Sequence, residues 1–387
     1  MKWLVWIMCC LWGLAACHHP GTGELQRQAG EIAAKYAPDR RTGIAEVVLT
    51  PAGRGKVLVE GETLFPEVRT EILELVKAAG YQVIDSMRIL PEPDGPGPWG
   101  LVTVSVANIR QKPSHSSELT TQAVMGTPVR IIRERKGWLE IQTPDQYLGW
   151  TNNSSVEVLD DIRFEEWKRA PRVLFTELSG QMTSGPGNGQ AVSDLVAGSV
   201  VIQKSTSGIY GELLLPDGRT GFSDKKGFAE FQEWKDTVNA TPEGICHTAE
   251  MFTGLPYMWG GTSAKALDCS GFTRNVFFLN GLILERDASQ QIRHGEKVSP
   301  DDHFAGLQKG DLLFYGSKEP FRVVHVGIWL GNTEVIHASG RVKTESMDPE
   351  SRNFSNYLHD TFLGEVRRII AYPGGAGIVR VKDHPWY

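Results

Sequence analysis

Cys269 follows Asp268 and opens a run in which Phe272, Val276 and Leu279 recur at helical spacing before Gly281. This predicts a helix capped by the Asp268 carboxylate, with the thiol on its first turn. Unpaired N–H groups and the positive end of the helix dipole favour a thiolate there, and the thiolate is the attacking species. Asp268 opposes this with its own charge, so the chemistry requires a histidine able to take the proton. Of ten histidines, two stand in a useful setting. Along Val323 to Leu330, residues His325, Gly327 and Trp329 share one face of a predicted strand, and Val324, Val326, Ile328 and Leu330 share the other, apolar face. Gly331-Asn332-Thr333 read as a three-residue loop pairs Leu330 with Glu334 and sets His337 opposite Gly327, where glycine leaves room for two rings. A two-residue loop would turn His337 to the other face. In the first register His325 accepts the thiol proton, His337 orients it, and N–H groups at the helix start stabilise an oxyanion.

The elements that must position these residues follow from periodicity. Thr241-Pro242 caps a helix whose face is Ile245, Ala249 and Phe252, ended by Gly254 and Pro256. Helix, helix, then strands give an α+β domain over 237–387. Upstream, short β-branched runs broken by Gly, Pro, Asn and Asp predict two all-β units, 99–160 and 161–236. They share an ordered pattern: Gln122-Ala123-Val124 and the turn Pro144-Asp145-Gln146-Tyr147-Leu148-Gly149-Trp150 are matched by Gln190-Ala191-Val192 and Pro216-Asp217-Gly218-Arg219-Thr220-Gly221-Phe222. Four prolines within 91–98 mark a linker. Residues 17–90 read as a small α+β segment with helices from Thr22 and from Pro66 to Ala79, and no chemistry of its own. At the start, Lys2, the apolar run Trp3 to Leu14 and Leu14-Ala15-Ala16-Cys17 have the layout of a signal peptide over 1–16.

The net charge of −6 and the absence of a long basic run exclude nucleic acid as an expected partner. Of five cysteines, Cys9 and Cys10 fall in the leader, leaving Cys246 and Cys269 beyond Cys17, which is no disulfide framework. A Cys/His/His set could also hold zinc, which makes a metal hydrolase the third reading, and an amine could resolve an acyl-enzyme as in a transferase. The main alternative to an enzyme is a non-catalytic, wall-binding lipoprotein built on the two all-β units.

Tyr257-Met258-Trp259-Gly260-Gly261, Asp268-Cys269-Ser270-Gly271-Phe272, Gly310-Asp311-Leu312-Leu313-Phe314, His325-Val326-Gly327-Ile328 and His337-Ala338, in this order, resemble the NlpC/P60 cysteine peptidases over about residues 240 to 372. The resemblance implies an α+β chain with a papain-like catalytic domain and a triad of Cys269, His325 and His337, without cofactor or metal. The unit from Trp99 resembles bacterial SH3 domains, and its more divergent repeat implies a second SH3-like barrel. With this pair, Arg286-Asp287-Ala288-Ser289-Gln290-Gln291 resembles the SH3-containing γ-D-glutamyl-L-diamino acid endopeptidases. That resemblance implies cleavage of stem peptides with a free N-terminal L-Ala, the ammonium bound by Asp287, Tyr257 and Tyr147, with Ser270 and Ser289 as further substrate contacts. Ala288 departs from the small polar residue usual after the aspartate. Cys17 resembles a lipobox cysteine, which implies a lipid-anchored monomer of the cell envelope. His18 and His19, with no aspartate after the cysteine, point to the outer membrane.

Overall fold

The computed structural model describes residues 21–301 and 304–387, so the expected leader and Cys17 lie outside the described residues. Two compact units divide between Leu90 and Pro91.

In the first unit, helices Thr22–Tyr36 and Pro66–Ala78 pack on a three-stranded sheet of Ala45–Pro51, Lys56–Thr63 and Gln82–Ile89. The first strand pair is antiparallel; the second, joined through the intervening helix, is parallel. Leu25, Ala29, Val57, Val59, Val68, Ile72 and Val76 form its core.

The second unit begins with the proline-rich segment, which does not hang free. Glu92 N–H and the Pro98 carbonyl bond Ile132 and Ile131 of the following sheet, and Glu92 pairs with Arg135. Two seven-stranded antiparallel sheets follow. In chain order the first comprises Trp99–Val102, Val106–Arg110, Leu119–Val124, Pro128–Arg135, Trp138–Gln142, Leu148–Asn152 and Val156–Leu159. The second runs from Arg172–Phe175 to Phe228–Glu230, and its strands lie side by side in the same topological order, strand for strand. The final turn expected at 144–147 and 216–219 recurs down to its hydrogen bonds. Thr143 N–H meets Tyr147 O and Gln146 N–H meets Thr143 O; Leu215 N–H meets Arg219 O and Gly218 N–H meets Leu215 O. Gln146 and Gly218 both have positive φ, 65° and 85°, a conformation that costs little for glycine and more for glutamine.

The last part is α+β. Helix Pro242–Met251, capped by Thr241 Oγ1, and helix Cys269–Leu279 pack on a six-stranded antiparallel sheet. Its spatial order is Glu296–Val298, Phe362–Arg368, Leu312–Lys318, Phe321–Gly331, Glu334–Ser339 and Arg341–Ser346. Phe252, Phe272, Val276, Phe314, Val326 and Ile328 are fully buried between helices and sheet, each contributing about 1.5–3 kcal/mol. The other face of the sheet is buried as well: Leu313, Tyr315, Trp329, Val335, Leu358 and Val366 form a separate cluster there. This corrects the expectation of one apolar face, because alternation cannot separate a solvent face from a second core when aromatic residues fill it.

Candidate active site

The nucleophile helix starts as its sequence dictates. Asp268 Oδ1 accepts from Gly271 N at 2.7 Å and Oδ2 from Gly260 N at 2.9 Å, so one carboxylate caps the helix and ties the Gly260-Gly261 loop to it. A Cβ on Gly271 would collide with the Gly261 carbonyl, which explains the glycine. The charge that opposed a thiolate is neutralised by Arg286, 1% exposed, whose Nη1 and Nη2 lie 3.1 and 2.6 Å from Asp268 Oδ1 and Oδ2. Nη1 also donates to Ser270 Oγ at 3.0 Å. Ser270, a candidate substrate contact, therefore has its hydroxyl inside this buried network. Arg286 stood in the motif without a role, because it reaches Asp268 from beyond helix Cys269–Leu279 and strand Leu282–Leu284, a pairing with no local signal.

Cys269 is buried, and burial, then the charge of Asp268, push its thiol up to about 12. The backbone N–H groups of Val326 and Ser270 pull the other way, as does Arg286. The expected helix-start effect is present but desolvation outweighs it. The Val326 contact sets the sulfur at the strand residue next to His325.

The histidines are joined directly. His325 Nε2 lies 2.8 Å from His337 Nδ1, with the rings nearly perpendicular. The turn between their strands is the two-residue Asn332-Thr333 pair, both at positive φ, not the expected three-residue loop. By itself it would have reversed His337, but a bulge between Trp329 and Gly331 adds a residue and restores the register Ile328↔Ile336 and Trp329↔Val335. A Cβ on Gly327 would stand 2.5 Å from Val335 Cγ1 and 3.2 Å from His337 Cβ. Burial, followed by the charges of His337 and Lys343, lowers His325 to about 3.

Two residues were missed. Glu345 Oε2 lies 2.9 Å from His337 Nε2, and Lys343 Nζ lies 2.8 Å from Glu345 Oε1. The signal was available: Lys343 pairs with His337 across the hairpin, and Glu345 is two residues further on the same face. Tyr357, on the short helix Asn356–Thr361, packs edge-on against His325 at 5.7 Å between centroids and is 44% exposed.

The first all-β unit closes one side. Asp145, its side chain fully buried, holds Arg274 of the nucleophile helix at 3.0 Å. Gln122 Oε1 accepts from Thr262 N at 3.0 Å and Ser263 Oγ at 3.1 Å. Trp259 Nε1 donates to Glu118 Oε1 at 2.8 Å. Through this contact Tyr147, buried and not on a solvent-facing turn, donates its hydroxyl to Asp287 Oδ2 at 3.2 Å. Asp287 lies 3.9 Å from Arg286 Nη1. Burial, then Cys269 and Asp268, raise the Tyr257 phenol to about 12, so this side chain belongs to the sulfur's surroundings. Ser289 is half-buried on the turn of helix after Asp287.

A thiol at a helix mouth, a histidine pair on an antiparallel sheet and an all-β unit leaning over the helix make a two-part candidate site. Residues 254–361 match the NlpC/P60 family and residues 105–157 the bacterial SH3 domain, so the chain carries both domains. The chain is 26% identical over 278 residues to a γ-D-glutamyl-L-lysine dipeptidyl-peptidase of Bacillus cereus, covering 69% of this chain and 82% of that one. It is 29% identical over 260 residues to dipeptidyl-peptidase 6 of Lysinibacillus sphaericus, covering 65% and 92%. A crystal structure of an NlpC/P60 family protein from Bacillus cereus superposes with a TM-score of 0.60 at 22% identity, over 70% of this chain and 99% of that one, a likeness of fold.

Proposed function

We propose that the protein is a cysteine endopeptidase that hydrolyses the bond between γ-D-glutamate and an L-diamino acid in peptidoglycan stem peptides with a free N-terminal L-Ala. The observation that carries this reading is the Tyr147–Asp287 contact, which joins the SH3 domain to a carboxylate linked through Arg286 to the cap of the nucleophile helix. A carboxylate and a phenolic oxygen there suit an ammonium group. A pocket closed on one side favours short, released peptides over cross-linked wall. The relatives named as dipeptidyl-peptidases support the same reading.

Burial disfavours a lone thiolate or a lone imidazolium, so the two charges arise together as Cys269 passes its proton to His325. Sulfur attacks the γ-carbonyl carbon, and the Ser270 backbone N–H, which favours negative charge at the sulfur, is a candidate donor to the oxyanion. The C–N bond breaks, His325 returns the proton to the leaving amine, and water then cleaves the thioester with His325 again as base. Three of the four ring nitrogens of the pair are engaged by one another and by Glu345, which favours the relay over zinc ligation. Residues 1–16 and Cys17 fit export and lipid attachment at the outer membrane, on the substrate's side of the envelope.

Incubation with L-Ala-γ-D-Glu-diaminopimelate and its N-acetylated form, followed by mass spectrometry, tests the proposal. Cleavage of the free amine alone, abolished in Cys269→Ala, is expected. Equal cleavage of both removes the amine recognition; cleavage of neither removes the peptidase.

A further inference from the structure

Two hydrogen-bonded imidazoles do not by themselves make a base. A neutral imidazole has one N–H and one lone pair, so a single proton between His325 Nε2 and His337 Nδ1 admits two arrangements. If His337 Nδ1 donates, His325 carries its proton on Nδ1, its one other ring nitrogen, and cannot accept another. If His325 Nε2 donates, Nδ1 is a lone pair and His325 can act as base. Nothing in either ring selects between them.

The selection comes from the next strand. His337 Nε2 lies 2.9 Å from Glu345 Oε2, and an ionised carboxylate only accepts. Although burial raises the Glu345 carboxyl, hydrogen bonds from Lys343 and His337 hold it below the usual carboxylate range. Lys343 Nζ, 2.8 Å from the other oxygen, also fixes the carboxylate's orientation. His337 must then carry its proton on Nε2, its Nδ1 accepts, and His325 Nε2 donates.

We propose that Glu345, oriented by Lys343, is a positioning residue that sets the proton order of the histidine pair and so makes His325 Nδ1 the base. This rests on the peptidase reading for its substrate, but not for its chemistry. When His325 takes the thiol proton, its Nε2–H stays on the bond to His337, and no proton need reach Glu345.

Glu345→Gln is the discriminating variant. With Lys343 holding the amide oxygen, the NH₂ faces His337 Nε2, which must then accept, and the order inverts. In the full-length protein, kcat on L-Ala-γ-D-Glu-diaminopimelate should fall about tenfold to a hundredfold with KM little changed, less than the ~10⁴ lost when the carboxylate bonds the base directly. Glu345→Asp should recover part of the loss. Nitrogen-15 NMR of the histidines should show His337 protonated on Nε2 in the native protein and on Nδ1 in Glu345→Gln. Iodoacetamide alkylation of Cys269, with Cys246 as internal control, reads the base without any peptide and should slow in Glu345→Gln. Unchanged alkylation together with unchanged tautomers overturns the proposal whether or not the peptide is cleaved. If Glu345→Gln does not fold, Glu345→Leu takes its place, since it removes the acceptor from His337 Nε2, and native alkylation kinetics there overturn the proposal equally.

Discussion

Arg286→Met tests the design of the nucleophile helix most directly. The guanidinium is 1% exposed and makes three hydrogen bonds, two to Asp268 and one to Ser270. Methionine fills much of the volume but leaves the Asp268 carboxylate buried without its counter-charge, a loss of about 3–5 kcal/mol. At roughly 2 °C per kcal/mol for a unit the size of 91–387, melting should fall by about 6–10 °C. The same substitution exposes the Cys269 thiol to the full push of Asp268, so iodoacetamide alkylation should slow. Asp268→Asn combined with Arg286→Met removes both charges while the amide oxygen can still cap Gly271 N, and should regain more than half of the lost stability. Thermal unfolding followed by tryptophan fluorescence reads the native protein, Arg286→Met, Asp268→Asn and the double variant. A single variant melting within about 1 °C of native would refute the argument, as would a double variant whose loss is the sum of the two singles.

Three further outcomes are expected. Burial lowers both His325, to about 3, and His337, so the unfolded chain takes up these protons first. Their contribution is complete above about pH 6.5 and is lost as pH falls below it, for His325 toward about 3, with a slope up to ~1.4 kcal/mol per unit for each histidine; urea midpoints from pH 7 to 4 measure it, and a slope unaltered by His325→Gln contradicts it. Gly327→Ala pushes a methyl against Val335 and His337 and should cost about 1–3 kcal/mol in denaturant titrations, with kcat falling as the rings part; native kcat would show that the relay tolerates the shift. Asp145→Ala strands Arg274 and loosens the seat of Tyr147, so KM should rise while kcat holds, and steady-state kinetics giving the reverse would place Asp145 in the chemistry instead.

The helix cap, the buried faces and the candidate triad were legible because each is a local pattern: a carboxylate before a 3.6-period run, a histidine in strict alternation, a glycine opposite a second histidine. The hairpin register was reached through the wrong loop, since a two-residue turn and a bulge change facing in opposite senses and cancel. Arg286 and Glu345 escaped for different reasons. Arg286 meets Asp268 from the far end of a helix and the strand after it, a pairing that no periodicity encodes, whereas Glu345 needed only the pairing of His337 with Lys343 carried two residues on. Trp329 shows the limit of alternation, because its side of the strand lies under a second core.

The twin turns of the two sheets carry unlike cargo. In the first, Asp145 grips the nucleophile helix and Tyr147 reaches Asp287; in the second, Arg219 bonds the carbonyls of Thr103 and Val192 and never meets that helix. An inherited loop shape has thus been employed once as a jaw and once as a bracket. Exchanging the side chain at its fourth residue retunes what the jaw holds while the sulfur and its histidines stay as they are.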